Sequence, residues 1–249
     1  MLQSFTILNN RYSQQFALTL FSTLVTLLTI GQQSATAQIN QAIVQEILDG
    51  EEVFIEQEQA EVEDLANFGQ LVSTEKSRAG LVFNNGAAGR LGVNSRVTVG
   101  QCVEVQSGAV VVSGPVNGCI AGFSVGVEGT VYILETNEDG SGTVKVIEGS
   151  VEISSEDESA EPVTVEEGEK ISVLPGVLGE IVEITPEELA DILQGELFSG
   201  FRIPITPQGA LQSACFRTVP PGFTCSSNGV PRPVVPSVPR PPIPGGLPF

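Results

Sequence analysis

From residue 42 onward the apolar residues mostly alternate with polar ones, which is the period of a half-buried strand. Val103, Val105, Gly108, Val110 and Val112 sit at offsets 0, 2, 5, 7 and 9, and Val144, Val146, Gly149, Val151 and Ile153 repeat those offsets. Val163, Val165 and Gly168 begin a third copy that slips by one at Ile171 and Val173. The unit this predicts is two alternating strands about a glycine that permits a tight bend. Such units must stack to bury their apolar faces. Their irregular spacing excludes a long solenoid. It predicts an all-β fold, a two-sheet β-sandwich or a short β-roll.

The rest of the pattern fits that class. Ile43, Val44, Ile47 and Leu48, then Asp49-Gly50, then Val53, Phe54 and Ile55 predict a hairpin over 42–56. A short helix over 40–48 is the alternative, and the segment is too short to favour it. Leu81 and Phe83 share one face of a strand over 79–83, with Val82 on the other, and Asn84-Asn85-Gly86 is a turn. Asn137-Glu138-Asp139-Gly140 predicts a second hairpin turn. One helix is predicted: Thr185 as N-cap, Pro186 at its first position, Glu188 to complete a capping box and Gly195 to stop it. Its stripe of Leu189, Ile192 and Leu193 should pack on one end of the β domain. From 201 the composition shifts, and twelve of the 16 prolines lie between Pro204 and Pro248. That predicts an extended, polyproline-like tail. The expected order is therefore 38–184 β domain, 185–200 helix and 201–249 tail.

Residues 1–37 contain no acidic residue and one base, Arg11. An apolar run from Phe16 to Ile30 is followed by Ala35-Thr36-Ala37 before Gln38, which reads as a secretory signal peptide cleaved between Ala37 and Gln38. The run is short for a membrane span, which needs about 20 residues. The mature chain is thus expected in the periplasm or secreted, with no membrane span after cleavage. Export makes disulfides plausible. Of the three ways to join four cysteines, the local one, Cys102 with Cys119 and Cys215 with Cys225, is favoured. The first pair lies in the dense β region and the second forms a small loop in the tail.

Charge and composition then remove function classes. Thirty acidic residues against 11 basic ones give a net charge of −19, which repels phosphate backbones and speaks against nucleic-acid binding. There is no histidine, so Ser-His-Asp and Cys-His arrangements and His-ligated zinc are out. Acidic runs at 51–64 and 156–161 could hold Ca²⁺, but no segment has EF-hand spacing. We read them as a solvated surface, and nothing in the sequence calls for a metal or cofactor.

A series of short motifs adds a family. It begins with Gly69-Gln70-Leu71-Val72-Ser73-Thr74 and Ser77-Arg78-Ala79-Gly80-Leu81-Val82-Phe83, followed by Asn85-Gly86 and Arg90-Leu91-Gly92-Val93-Asn94-Ser95. Val127-Glu128-Gly129-Thr130-Val131-Tyr132, Val146-Ile147-Glu148-Gly149-Ser150-Val151 and Glu167-Gly168-Glu169-Lys170 complete it. In this order they resemble the FecR domain family over about 100 residues. The upstream strands and the Cys102/Cys119 pair look like a variant exported by cyanobacteria. In its best-known branch the resemblance implies a sensor of a ferric dicitrate receptor that controls a sigma factor through a cytoplasmic segment. Here only about 15 residues precede the apolar run, too few for that segment.

The sequence therefore predicts a non-enzymatic binding or scaffolding module of the cell envelope, able to feed surface signalling. Its expected partner is an envelope protein or a wall polymer. The first rival is a sensor of an iron-dicitrate-type ligand, with Arg78 and Arg90 gripping carboxylates. Against it, both arginines are two of few bases in an acidic domain and suit structural pairing. The second rival is a carboxylate-based polysaccharide enzyme, for which aromatic sugar platforms are scarce: no Trp and two Tyr.

Overall fold

A computed structural model describes residues 39–127, 129–155, 161–202, 205, 223–225 and 231–233. Its strands between Gln41 and Glu183 form two sheets that share one strand, Val103–Gly114. Sheet I runs, in spatial order, β4 (Leu65–Asn67), β1 (Gln41–Leu48), β6 (Arg78–Phe83), β7 (Ala88–Leu91), the second half of β9 (Val103–Gly114), β12 (Thr130–Thr136), β13 (Gly142–Glu148), β16 (Glu169–Leu174) and β17 (Val177–Glu183). All its pairings are antiparallel. Sheet II runs β3 (Glu58–Gln59), β2 (Val53–Ile55), β5 (Leu71–Thr74), β8 (Arg96–Thr98), the first half of β9, β10 (Gly118–Ile120), β11 (Phe123–Val127), β14 (Ser150–Ser155) and β15 (Val163–Glu166). Only β10 is parallel to its neighbour, β9.

The glycine-centred repeat explains how the sheets are joined. β9 pairs in sheet II through Glu104–Ser107 and in sheet I through Gly108–Gly114, and it turns at Gly108, φ +82°. A Cβ there would stand 2.6 Å from the Ser95 Cα and 2.8 Å from the Asn94 carbonyl, so only glycine fits. Gly149 makes the same change of sheet between β13 and β14, and Gly168 between β15 and β16, both at positive φ. Each copy of the repeat is therefore one bent ribbon with a limb in each sheet. Stacking the ribbons buries Val105, Val110, Val112, Val144, Val151 and Ile171 between the sheets. Both expected descriptions apply: the layers are those of a sandwich, and the chain path is that of a short roll.

Two expectations change. Asp49 and Gly50 do turn at positive φ, 65° and 146°, but β1 and β2 do not pair with each other. β1 belongs to sheet I beside β4 and β6, and β2 to sheet II beside β3 and β5. Val44 and Val53, both fully buried, approach one core from opposite sides, so the turn is a corner and not a hairpin. The helix α1 (Pro186–Gln194) lies against the outward face of sheet I instead of an end of the domain. Leu189, Ile192 and Leu193 pack there on a second apolar cluster that includes Val111, Val131, Ile133 and Ile147.

Thr185 caps α1, its Oγ1 accepting from the Glu188 amide at 3.2 Å. The Glu188 carboxylate turns to the strands beneath: Lys170 Nζ lies at 2.6 Å and Lys145 Nζ at 3.7 Å, and Lys145 also meets Glu135 at 2.8 Å. The hairpin turn at 137–140 is as expected, joining β12 to β13 with Asn137 N–H donating to the Ser141 carbonyl. Within the tail, β18 (Phe223–Cys225) and β19 (Pro231–Pro233) form a small antiparallel pair. The signal peptide, the cleavage site Ala37–Gln38 and the rest of the tail lie outside the described residues, as does Cys215.

Candidate functional site

Arg78 opens β6 and Arg90 lies in the adjacent β7, opposite Gly80. Alternation sends Ala79, Leu81 and Leu91 into the core between the sheets. It sends both arginines to the outward face of sheet I, where Gly80 leaves room beside them. Neither guanidinium faces open water: Arg78 is 9% exposed and Arg90 3%. What covers them is the chain itself. After α1, residues 196–202 run back across sheet I as a strap, from the helix side toward β1.

The two arginines hold this strap by its backbone. Arg78 Nη1 donates to the carbonyls of Glu196 and Ser199, the latter at 2.8 Å, while its Nε donates to the Asp49 carboxylate. Arg90 Nη1 donates to the Leu197 carbonyl at 3.0 Å. Phe201 sits between them, with its ring centre 5.3 Å from the Arg78 guanidinium carbon and 4.8 Å from that of Arg90, and Phe198 adds a contact at 5.9 Å. At the far end Glu46 of β1 accepts the Arg202 amide with both carboxylate oxygens, at 3.0 and 2.8 Å. Leu197 and Ile205 are buried with the apolar cluster of this face. The folded unit therefore extends past residue 201, where the composition changes.

Burial lowers the Arg90 pKa to about 10, with Glu46 pulling the other way, so it stays charged at neutral pH. The hydrogen bond from Arg78, aided by its charge, holds the Asp49 carboxyl below the usual carboxylate value. This chemistry grips peptide carbonyls and stacks on rings; it moves no proton near pH 7. A carboxylate ligand could reach either arginine only by displacing the strap or Asp49.

The structure thus brings Arg78 and Arg90 together, as part of a clasp. The clasp also uses Asp49, which the sequence marked only as a turn residue, and Glu46, Phe198 and Phe201, which sequence reasoning did not single out. The Leu197-Phe198 and Phe201 side chains, apolar and just past a helix stop, were the available signal. Cys102 and Cys119 are joined, with Cα atoms 5.6 Å apart. Cys119 lies in β10, so the bond fastens the parallel strand to the start of β9 on the outward side of sheet II. The Cys215–Cys225 pairing falls outside the described residues, although the Cys225 backbone lies in β18. An open groove of about 580 Å³ at the first end of the stack is lined by Glu56, Glu58, Asp64, Asn67 and Gln70 among others. Among the described residues no group of three or more His, Cys, Asp or Glu is arranged to hold a metal. No described helix is long and apolar enough to cross a membrane.

No family model matches this chain, and no curated protein matches it. Two crystal structures of a candidate anti-sigma factor from Parabacteroides distasonis ATCC 8503 are similar to it. The first is 18% identical with a TM-score of 0.42, over 50% of this chain and 65% of that one. The second is 17% identical with a TM-score of 0.41, over 59% and 73%. The chain spans just under two thirds of the first structure's length. At this distance neither likeness bears on the role of this chain.

Proposed function

We propose that this protein is a FecR-like extracytoplasmic β module that binds or scaffolds another envelope component and serves surface signalling. It does so without catalysing a reaction. The reading rests on its motif order and on one observation: the motif residues Arg78, Arg90, Ser95 and Thr130 are engaged in structure. Arg78 and Arg90 clasp the strap. Thr130 Oγ1 donates to the Ser150 carbonyl at 2.9 Å, and Ser95 Oγ accepts the Ala109 amide at 3.1 Å. Recognition then falls to sheet edges and faces, where backbone groups and alternating side chains meet a partner. The Cys102–Cys119 bond suits an oxidising compartment.

Cross-linking and pull-down from envelope fractions, with the mature protein as bait, tests the reading. Capture of a receptor or a sigma regulator supports signalling, and capture of a wall polymer supports scaffolding. Turnover of wall polysaccharide by the purified protein would overturn the non-enzymatic role. Heat on titration with ferric citrate would move the assignment to the sensor. Amino-terminal sequencing of the exported protein should begin at Gln38.

A further inference from the structure

Two observations meet at the last strand of sheet I. Among the described residues the exposed large apolar side chains gather at the two ends of the strand order. Val62, Leu65 and Phe68 stand at its first end, and Leu174, Val177, Ile181 and Val182 at its last. Of the strands at the ends, β3 has two residues, β4 three and β15 four, whereas β17 has seven. Among the described residues β17 pairs only with β16, so one row of its backbone groups is free for another strand. The second observation is a segregation of charge. All 30 acidic residues lie between Glu46 and Glu196, whereas residues 201–249 carry Arg202, Arg217, Arg232 and Arg240 and no acid.

A second copy of β17 is a poor occupant. Glu180 and Glu183 would bring like charges together. A bulge between Leu178 and Ile181 interrupts the edge, so it offers a short regular stretch and not a full seven-residue partner for another β17. A short, positively charged, apolar segment suits it better. Val234-Val235-Pro236-Ser237-Val238-Pro239-Arg240 is such a segment. As a strand it would offer the Val235 and Ser237 amides in one phase. Pro236 falls in the other phase, where no donor is needed on an outermost strand, and Pro239, in the donor phase, ends the row of donors after Ser237. Seventeen residues, 206–222, separate the buried Ile205 from β18 and can span about 55 Å when extended. Crossing sheet I from β1 to β17 takes seven strand spacings, about 34 Å.

We propose that Val234–Arg240 adds to the free edge of β17 as an outermost strand of sheet I, held by strand pairing and by attraction of Arg232 and Arg240 to Glu180 and Glu183. Hydrogen–deuterium exchange on the full-length chain tests this at the amides of 177–183. Charge reversal in the tail, R232E with R240E, should speed exchange there by about ten-fold and leave β12 and β13 unchanged. A synthetic peptide of residues 229–249 added to that variant should restore protection at low salt and lose it at 1 M NaCl. Equal exchange in the two proteins would overturn the proposal. So would protection that grows with protein concentration, which would give the edge to a second copy. Neither result touches the envelope role, which the pull-down decides.

Discussion

The two outward faces of the sandwich are built differently. On sheet I the outward residues include Ala88, Arg90, Val111, Val131 and Ile133, all buried beneath α1 and the strap. On sheet II they include Arg96, Glu104, Gln106, Glu152 and Thr164, all exposed. Both sheets alternate with a period of two apart from local bulges, so the inner face is apolar in each. The outer phase differs: an apolar outer phase needs a third layer, and a polar one does not. Fastening differs too. The covered face uses buried guanidinium groups and backbone carbonyls. The bare face has a covalent clip at β10, the strand that pairs in parallel with β9.

The clip gives the largest expected effect. Replacing Cys102 and Cys119 by serine removes a bond across a 17-residue separation and should cost about 3 kcal/mol in the chain-entropy description. Urea unfolding with and without reductant measures it. The bare face should loosen first, with faster amide exchange in β10 and β11 than in β12. A uniform loss across both sheets would show that the two faces are not fastened separately.

Arg90 comes next. In Arg90→Ala the Leu197 carbonyl loses its donor and Phe201 its strongest cation contact, which should cost about 2 kcal/mol. Limited proteolysis should then cut between 197 and 202. The matched change on the bare face, Arg96→Ala, should stay within about 0.5 kcal/mol, because that side chain is exposed. Thermal unfolding of the pair tests the comparison directly, and equal losses would break it.

How legible this was in the sequence depends on the range of the interaction. Val103, Val105, Gly108, Val110 and Val112 showed their ribbon because alternation and a bend are local signals. Thr185 and Pro186 showed the start of α1 for the same reason. Asp49-Gly50 showed a turn, but a turn does not say whether its arms join one sheet or two; that is decided by partners at Phe83 and Thr74. The clasp was least legible. Arg78 meets Ser199 across 121 residues and Arg90 meets Leu197 across 107. A carbonyl acceptor leaves no trace in residue type, so the arginines could be picked out as scarce bases but not assigned their partners.

The smallest effect is confined to the strap and to acid. Asp49 has its pKa lowered in the folded chain, so its contribution is present above the ordinary carboxylate pKa. It fades as pH falls through the lower folded value. The Asp49 side chain is half exposed, and Arg78 keeps two backbone carbonyls when Asp49 is protonated. The global transition should therefore barely move. What should change is local: as pH falls below the ordinary carboxylate pKa of about 4 and through the lower folded value of Asp49, amide exchange at 199–202 should rise while β6 and β7 stay protected. In Asp49→Asn the same segment should exchange faster already at pH 7, and the part of the acid response due to this carboxylate should vanish. An undiminished acid response in Asp49→Asn would show that this carboxylate does not control how this face is covered.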